Sequence, residues 1–443
     1  MKYHRILESF LIPAYYGVRR RSYPQWCDFL ERSQWWSPEQ VREFQWAEAR
    51  RLLEHAFRTV PYYKRKYAAA GIELGDIRKR EDFAKLPPLS REEVNAYQTE
   101  LCSQTPNGRL LPHATGGSSG IPTRFFITPN SYDWRCAASA RAYSWSGYRV
   151  GKRALYLWGA PVGTVSLFQR VKLDSYRFLR RELVVPTFAQ TPELWQKTFE
   201  SALRFRPKFI VGYVSSLEQF AQFLISRDLI IPGIQAVLAA AEPVHEATRD
   251  LVLQAFQVPL FDTYGSREFM SIAAECEVHN GMHIHAENLL VEAQADANGG
   301  PSELLITDLH NYGMPFIRYR LGDCGWLSDF VCPCGRGLPL IRRIEGRVLE
   351  VLRTRDGRAI SPILWRHVLK DVPEVKEFEV RQISMEEILL SVMLSRPLSE
   401  SSEALLRHEM EKVFTPATRV IIKPVDAIPR LPSGKRRLTI GIG

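Results

Sequence analysis

Apolar positions in the first hundred residues recur at helical spacing. Ser37-Pro38-Glu39-Gln40 offers an N-cap, a first-turn proline and a glutamine three residues after the cap. Val41, Phe44, Leu52, Leu53, Ala56 and Phe57 then keep a helical period, and Pro61 is expected to end the helix. From about residue 110 to residue 345 the pattern changes. Short apolar runs at 155–158, 209–211, 236–240, 260–263 and 304–307 read as buried strands. Helical periodicity over 192–204, 216–227 and 245–256 lies between several of them. This alternation predicts a layered α/β domain with at least one largely parallel sheet, in which ligands sit at the carboxyl ends of the strands. After about residue 350 the order becomes strand (375–381), strand (388–394), helix (400–413), strand (419–423), a small α+β unit. Residues 429–437, rich in Pro, Ser, Gly and basic side chains, read as an exposed loop.

Composition narrows the classes. The 443 residues are 45% hydrophobic and 24% charged, which excludes disorder over most of the chain. No apolar run approaches the ~18 residues that a membrane helix needs; the longest, 229–240, is broken by Pro232, Gly233 and Gln235. The net charge of +10 suits a polyanionic partner: a nucleotide, nucleic acid or anionic lipid. No zinc-finger, basic-zipper or RNA-recognition signature accompanies it, so no nucleic-acid partner is expected. The tightest basic runs are Arg19-Arg20-Arg21 and Lys435-Arg436-Arg437. Seven cysteines are no disulfide scaffold at this length, and the start lacks a signal peptide's apolar core. A reducing cytoplasm is therefore the expected compartment. The aromatic-rich opening (Phe10, Tyr15, Tyr16, Tyr23, Trp26, Trp35, Trp36) reads as a helical layer packed on the main domain, in preference to a peripheral membrane contact.

The sharpest local signal is Thr115-Gly116-Gly117-Ser118-Ser119-Gly120-Ile121-Pro122-Thr123. Small residues let backbone N–H groups approach a phosphate, and the hydroxyls of Thr115, Ser118 and Ser119 add donors. Phe125-Phe126-Ile127-Thr128 follows as a strand, so the loop is expected to join strands. The lysine of a Walker P-loop and the Gly-x-Gly-x-x-Gly spacing are both absent. Tyr264-Gly265-Ser266-Arg267-Glu268 follows a strand end, where a carboxylate suits Mg²⁺ on nucleotide phosphates and a tyrosine can stack on a base. Asp323, after Arg318-Tyr319-Arg320-Leu321-Gly322, is placed to accept from ribose hydroxyls. Arg343-Ile344-Glu345-Gly346-Arg347 sits where the large unit gives way to the small one. Pro429-Arg430-Leu431-Pro432-Ser433-Gly434-Lys435 carries a lysine on the tail loop.

In that order these motifs resemble the AMP-forming adenylating enzymes, and within them the phenylacetate–CoA ligase and CapK-like branch. The opening resembles it too, at Ser33-Gln34-Trp35-Trp36-Ser37 and at Val60-Pro61-Tyr62-Tyr63. The resemblance implies a large α/β N-terminal adenylation domain, 1–347, with 1–100 as its helical layer, and a small mobile α+β C-terminal domain, 348–443. It implies that Thr115 and Gly116 to Gly120 grip the ATP phosphates, that Ala241, Glu242 and Pro243 border the adenine beside Tyr264 and Gly265, and that Ser266 reaches the α-phosphate. Glu268 would bind Mg²⁺, Asp323 the ribose, and Arg343 would lie near ribose or phosphate. The hinge would fall at Leu349 and Glu350, and Lys435 would swing in for the first half-reaction. Ile121 stands where many relatives carry Lys, Ser266 replaces a common Thr, and Leu349 is apolar where a polar residue is frequent.

Cys332-Pro333-Cys334-Gly335, with Cys276 followed by His279, His283 and His285, suits a structural Zn²⁺. The resemblance selects Cys276, His283, Cys332 and Cys334, with His279 and His285 as substitutes. The implied reaction joins a carboxylic acid, aryl or of medium hydrophobic size, to AMP and passes the acyl group to CoA. Trp158-Gly159-Ala160-Pro161, Gly212-Tyr213-Val214-Ser215 and 239–241 would line the acid pocket. An amine acceptor, giving an amide ligase, has the same first half-reaction. A non-catalytic CapK-like protein of polysaccharide clusters is the remaining alternative.

Overall fold

The computed structural model describes residues 3–105, 109–115, 123–158, 167–187, 191–294, 301–328, 330–347, 352–353, 359–360, 369, 372–413, 418–429 and 439–441. The helical layer forms for local reasons. The Ser37 hydroxyl accepts from the Gln40 N–H (3.2 Å), and the Gln40 side chain accepts from the Ser37 N–H (2.9 Å), a reciprocal cap on the helix Pro38–Thr59. Pro61 ends that helix and also begins the next, Pro61–Ala69, because a first-turn proline loses no hydrogen bond. Val41, Ala49, Leu52, Leu53 and Ala56 pack with Ile272, Ala273, Leu289 and Ile306 of the main sheet. Trp26 stacks on Trp134 at 4.3 Å, and Tyr16 on Tyr23 at 4.7 Å, so part of the aromatic opening is packed. No described helix is long and apolar enough to cross a membrane.

Among the described residues the main sheet has eleven strands, in the order Leu289–Gln294, Ser302–Asp308, Tyr319–Ser328, Leu340–Arg347, Met282–Ile284, Met270–Glu275, Leu260–Ser266, Ala236–Ala240, Phe209–Tyr213, Ala154–Trp158 and Glu182–Pro186. The last five run parallel. The others pair antiparallel, so the sheet is mixed where the sequence pattern suggested a largely parallel one. In the parallel half, Leu155, Leu157, Ile210, Val237 and Ala239 face one core with Trp195, Leu217, Phe220 and Val252 of the crossover helices. Ala154, Phe209, Val211, Ala236 and Leu238 face a second core with Tyr148 and Phe261. Burial on both faces is what makes these strands unbroken apolar runs. Helices Pro192–Phe205, Val214–Ile225 and Glu246–Phe256 carry the crossovers.

The C-terminal part builds a four-stranded sheet, ordered Arg419–Pro424, Glu387–Leu394, Val375–Ser384 and Thr439–Ile440. Its core joins Val380, Ile388, Leu390, Val392 and Leu406, the last from the helix Glu400–Val413. Thr439–Ile440 pairs parallel with Val380 and Arg381; a two-residue strand leaves no periodicity to read.

Candidate active site and metal knot

The parallel strands end side by side, and the motif residues follow them. Strand Leu260–Ser266 delivers Tyr264, Gly265 and Ser266. Gly265 sits at a bulge opposite Ser271, where a Cβ would collide with the Met270 carbonyl oxygen. The Ser266 hydroxyl accepts from the Phe269 N–H at 3.3 Å and so folds the turn that carries Glu268. Glu268 is 3% exposed. Its carboxylate faces the Tyr319 hydroxyl at 3.5 Å and an Arg91 guanidinium nitrogen at 3.7 Å. Burial, and then the charge of Glu268, raise the Tyr319 phenol above its ordinary range, so it stays a donor. Tyr264 donates to Asp323 at 2.8 Å. The strand Tyr319–Ser328 thus meets the Tyr264–Glu268 segment twice, hydroxyl to carboxylate, although it is not a ladder neighbour of that strand.

Arg91 was not legible in the sequence. It reaches the site because the Leu89 N–H donates to the Arg318 carbonyl (3.1 Å) and the Leu89 carbonyl accepts from the Arg320 N–H (2.9 Å), stitching the helical layer to Tyr319. Ser90 then caps the short helix Arg91–Ala96, which fixes where Arg91 starts. No local motif marks such a long-range pairing. Arg318 is a frame residue: its guanidinium pairs with Glu292 at 3.1 Å and donates to the Ala84 and Leu86 carbonyls.

The other expected site residues divide. Ala241 takes a left-handed φ of +70° just past strand Ala236–Ala240. The Glu242 carboxylate turns to Ser215, accepting from its N–H at 2.7 Å and its hydroxyl at 3.2 Å, at the head of helix Val214–Ile225. Asp323 lies opposite Arg347 in the sheet register, while Arg343 is mostly exposed and pairs with Glu345. Thr115 and Thr123 close the neck of the glycine loop, with the Thr115 N–H donating to the Thr123 carbonyl and the Thr123 N–H to the Thr115 hydroxyl, both at 2.9 Å. The neck continues the antiparallel pair Leu111–Ala114 and Arg124–Ile127, so the loop does join strands. Gly116, Gly117, Ser118, Ser119, Gly120, the hinge residues Leu349 and Glu350, Gly159 to Pro161, and Lys435 lie outside the described residues. On the acid side Trp158 and Tyr213 bring their rings to 4.6 Å at adjacent strand ends.

Away from this edge, Cys276, His283, Cys332 and Cys334 place their ligand atoms within 4.8 Å of one another. Cys276 and Cys332 sulfurs are 3.7 Å apart, and the Cys334 sulfur is 3.3 Å from His283 Nε2. Two thiolates at ~2.3 Å from one tetrahedral zinc would stand roughly 3.8 Å apart, so the donor set fits. His283 Nδ1 bonds the Leu338 carbonyl at 3.3 Å, which leaves Nε2 turned inward as a ligand. Burial pushes His283 down to about 4, so its ring is neutral near pH 7. The two substitutes are engaged elsewhere. His279 bonds Glu275 at 3.1 Å, and His285 bridges Arg141 (3.0 Å) and Ser271 (2.9 Å).

Residues 352–441 match the CapK C-terminal domain family. The phenylacetate–coenzyme A ligase of Thermus thermophilus is 26% identical over 377 residues, covering 81% of this chain and 82% of its own. Protein CapK of Staphylococcus aureus is 21% identical, over 80% and 79%. A crystal structure of 2-hydroxyisobutyryl-CoA ligase with 2-HIB-AMP superposes with a TM-score of 0.68 at 22% identity, over 91% of this chain and 90% of that one. The chain has the adenylate-forming CoA ligase fold. In this fold, the strand edge bearing Tyr264, Glu268 and Asp323 is the candidate active site, and the cysteine–histidine knot stands apart from it.

Proposed function

We propose that the chain is an AMP-forming acid–CoA ligase, which activates a carboxylic acid with ATP and hands the acyl group to CoA. The observation that carries this reading is the pair of hydroxyl–carboxylate links, Tyr264 to Asp323 (half-buried) and Tyr319 to Glu268 (buried), at the carboxyl edge of the parallel strands. They would hold one carboxylate for a ribose and one for the phosphates, and the Arg91 guanidinium stands 3.7 Å from Glu268. The relatives and the shared fold support the same reading.

The acid's carboxylate oxygen attacks the α-phosphorus, the bond to the bridging oxygen breaks, and pyrophosphate leaves. The CoA thiolate then attacks the acyl carbon and AMP departs. Two anions must meet in the first step, so cationic and N–H donors aimed at the α-phosphate lower its barrier. In our reading the loop 116–120 and Ser266 offer those donors, Asp323 orients the ribose, and Lys435 is brought in by the C-terminal part, 348–443, as it turns on the first, 1–347. Glu268 would hold Mg²⁺, which supplies neutralising charge on the phosphates. The Trp158–Tyr213 pair favours an aryl or medium-sized hydrophobic acid. Cys276, His283, Cys332 and Cys334 would hold a structural Zn²⁺, remote from the chemistry. ATP–pyrophosphate exchange across a panel of carboxylic acids tests the proposal. Acid-dependent exchange, followed by thioester formation with CoA, is the expected result. Thioester replaced by amide in an amine panel would reassign the acceptor, and no exchange with any acid would leave the CapK-like, non-catalytic alternative.

A further inference from the structure

Residues 3–18 form one nearly continuous helical rod, Tyr3–Ile6, Leu7–Leu11 and Ile12–Val18. It is rich in apolar residues, and only some of them are covered. Leu7 is buried and packs toward Gly151, while Ile12 and Tyr16 join a core with Tyr23, Leu30 and Trp134. Ile6, Phe10, Leu11, Tyr15 and Val18 stay exposed, with Val18 88% exposed. Beside it lies the strongly amphipathic helix Leu167–Arg180, which exposes Val171, Tyr176, Phe178 and Leu179, with Phe178 82% exposed. The two segments meet at Tyr3. The Tyr3 hydroxyl donates to the Leu179 carbonyl at 2.7 Å, and the Arg181 guanidinium lies 4.0 Å from the Tyr3 ring centroid. Both are anchored from behind, by Arg21 on Asp133 at 2.7 Å and Arg180 on Glu182 at 2.6 Å.

Charge selects the occupant. Beyond Arg21, Arg177 and Arg180, which pair with Asp133, Asp174 and Glu182, the basic residues Arg5, Arg19, Arg20, Arg170, Lys172 and Arg181 stand in residues 3–21 and 167–181, against Glu8. A second copy of the face would bring like charges together. Nucleic acid would satisfy the arginines and leave Val18 and Phe178 without an apolar partner. A bilayer of anionic phospholipid offers both a charged surface and an apolar layer beneath it, the environment that suits helices with aromatic and basic side chains on one surface.

We propose that this face, built from residues 3–20 and 167–181, docks the protein on an anionic phospholipid membrane. The inference goes beyond the ligase reading and does not depend on it. The test is co-sedimentation of the full chain with vesicles of phosphatidylcholine, with and without phosphatidylglycerol, across a range of salt. Binding is expected only with phosphatidylglycerol, and to weaken as salt rises. Phe10→Ser with Phe178→Ser, and Arg20→Glu with Arg181→Glu, should each weaken it about tenfold or more. All four residues are exposed, so thermal unfolding should be little changed, although Arg181→Glu also removes the contact with the Tyr3 ring; the Phe178→Ser and Arg20→Glu single variants, which leave that contact, provide a second reading should either pair unfold. Inorganic phosphate should displace the protein no better than sodium chloride of equal ionic strength. Glu268→Gln should bind vesicles as the parent does, which separates docking from catalysis. No binding, equal binding to both vesicle types, unchanged binding in both pairs, or self-association that the pairs abolish in place of vesicle binding would each overturn the proposal.

Discussion

At the scale of single residues, the candidate site depends on a few side chains held in place by their neighbours. Glu268 is buried and keeps only the Tyr319 hydroxyl and Arg91 as described partners. Glu268→Gln preserves its shape and removes the charge, so acid-dependent pyrophosphate exchange should fall ~10²–10³-fold with the circular dichroism spectrum unchanged. Wild-type exchange in this variant would remove the carboxylate from the reaction. Gly265 is a question of backbone. A methyl there meets the Met270 carbonyl at a bulge, so Gly265→Ala should destabilise the fold by about 2 kcal/mol or more in urea unfolding. His310 supplies a pH dependence. It stacks on Trp134 at 4.0 Å and bonds the Glu287 carbonyl at 2.8 Å, and burial pushes it down to about 4. An unfolded chain takes up that proton near pH 6.5, the folded one only near pH 4. Stability is therefore present above about pH 6.5 and is lost as pH falls toward 4, by about 2 kcal/mol at pH 5 from this group alone. Urea midpoints from pH 7 to pH 5 measure it, and His310→Gln should flatten the slope.

Elements show what could be read from the chain and what could not. Four of the five parallel strands were legible because burial leaves an uninterrupted apolar run, as in Ala236–Ala240, where the expected and observed bounds coincide, whereas the half-buried edge strand Glu182–Pro186 was not read. The antiparallel half was harder. Met282–Ile284 has three residues, too few for a period, and it is defined by pairing with Leu340 and Ile341 far along the chain. The same limit hid Arg91, which is brought to Glu268 by the bridge between Leu89 and Tyr319. The glycine-rich and strand-end motifs were visible because turns need particular residues locally, whereas the hydroxyl–carboxylate contacts of Tyr264 and Tyr319 arise only through packing. The cysteine–histidine knot lies between these cases. The residue types were plain, and the fold decides among the histidines by giving His279 and His285 other partners. The knot would tie the strands Met270–Glu275 and Met282–Ile284 to the loop before Leu340. Atomic emission should accordingly find one zinc per chain. Cys332→Ser should lose it and lower the unfolding free energy by about 2 kcal/mol or more. Purified protein without stoichiometric zinc would end the assignment.

At the scale of the molecule, one site has to serve two reactions that need opposite things. Adenylation requires a cation against the meeting carboxylate and α-phosphate. Thioester formation requires that same approach to be cleared for CoA. A fixed lysine would serve the first step and obstruct the second, so we expect Lys435 to be delivered by motion of the C-terminal part. That part has its own core, around Val380, Ile388, Leu390 and Leu406, so it can turn without unfolding. The strand Thr439–Ile440 pairs with Val380 and Arg381, which ties the chain just after Lys435 to that core. The lysine and the small sheet should then move as one. Lys435→Ala should abolish acid-dependent pyrophosphate exchange while leaving thioester formation from a supplied acyl-adenylate within a few-fold of the parent. A lysine that merely steadied the fold, or bound CoA, would cost both half-reactions alike. Equal loss in the two assays therefore rejects the swinging role even if the protein remains a ligase.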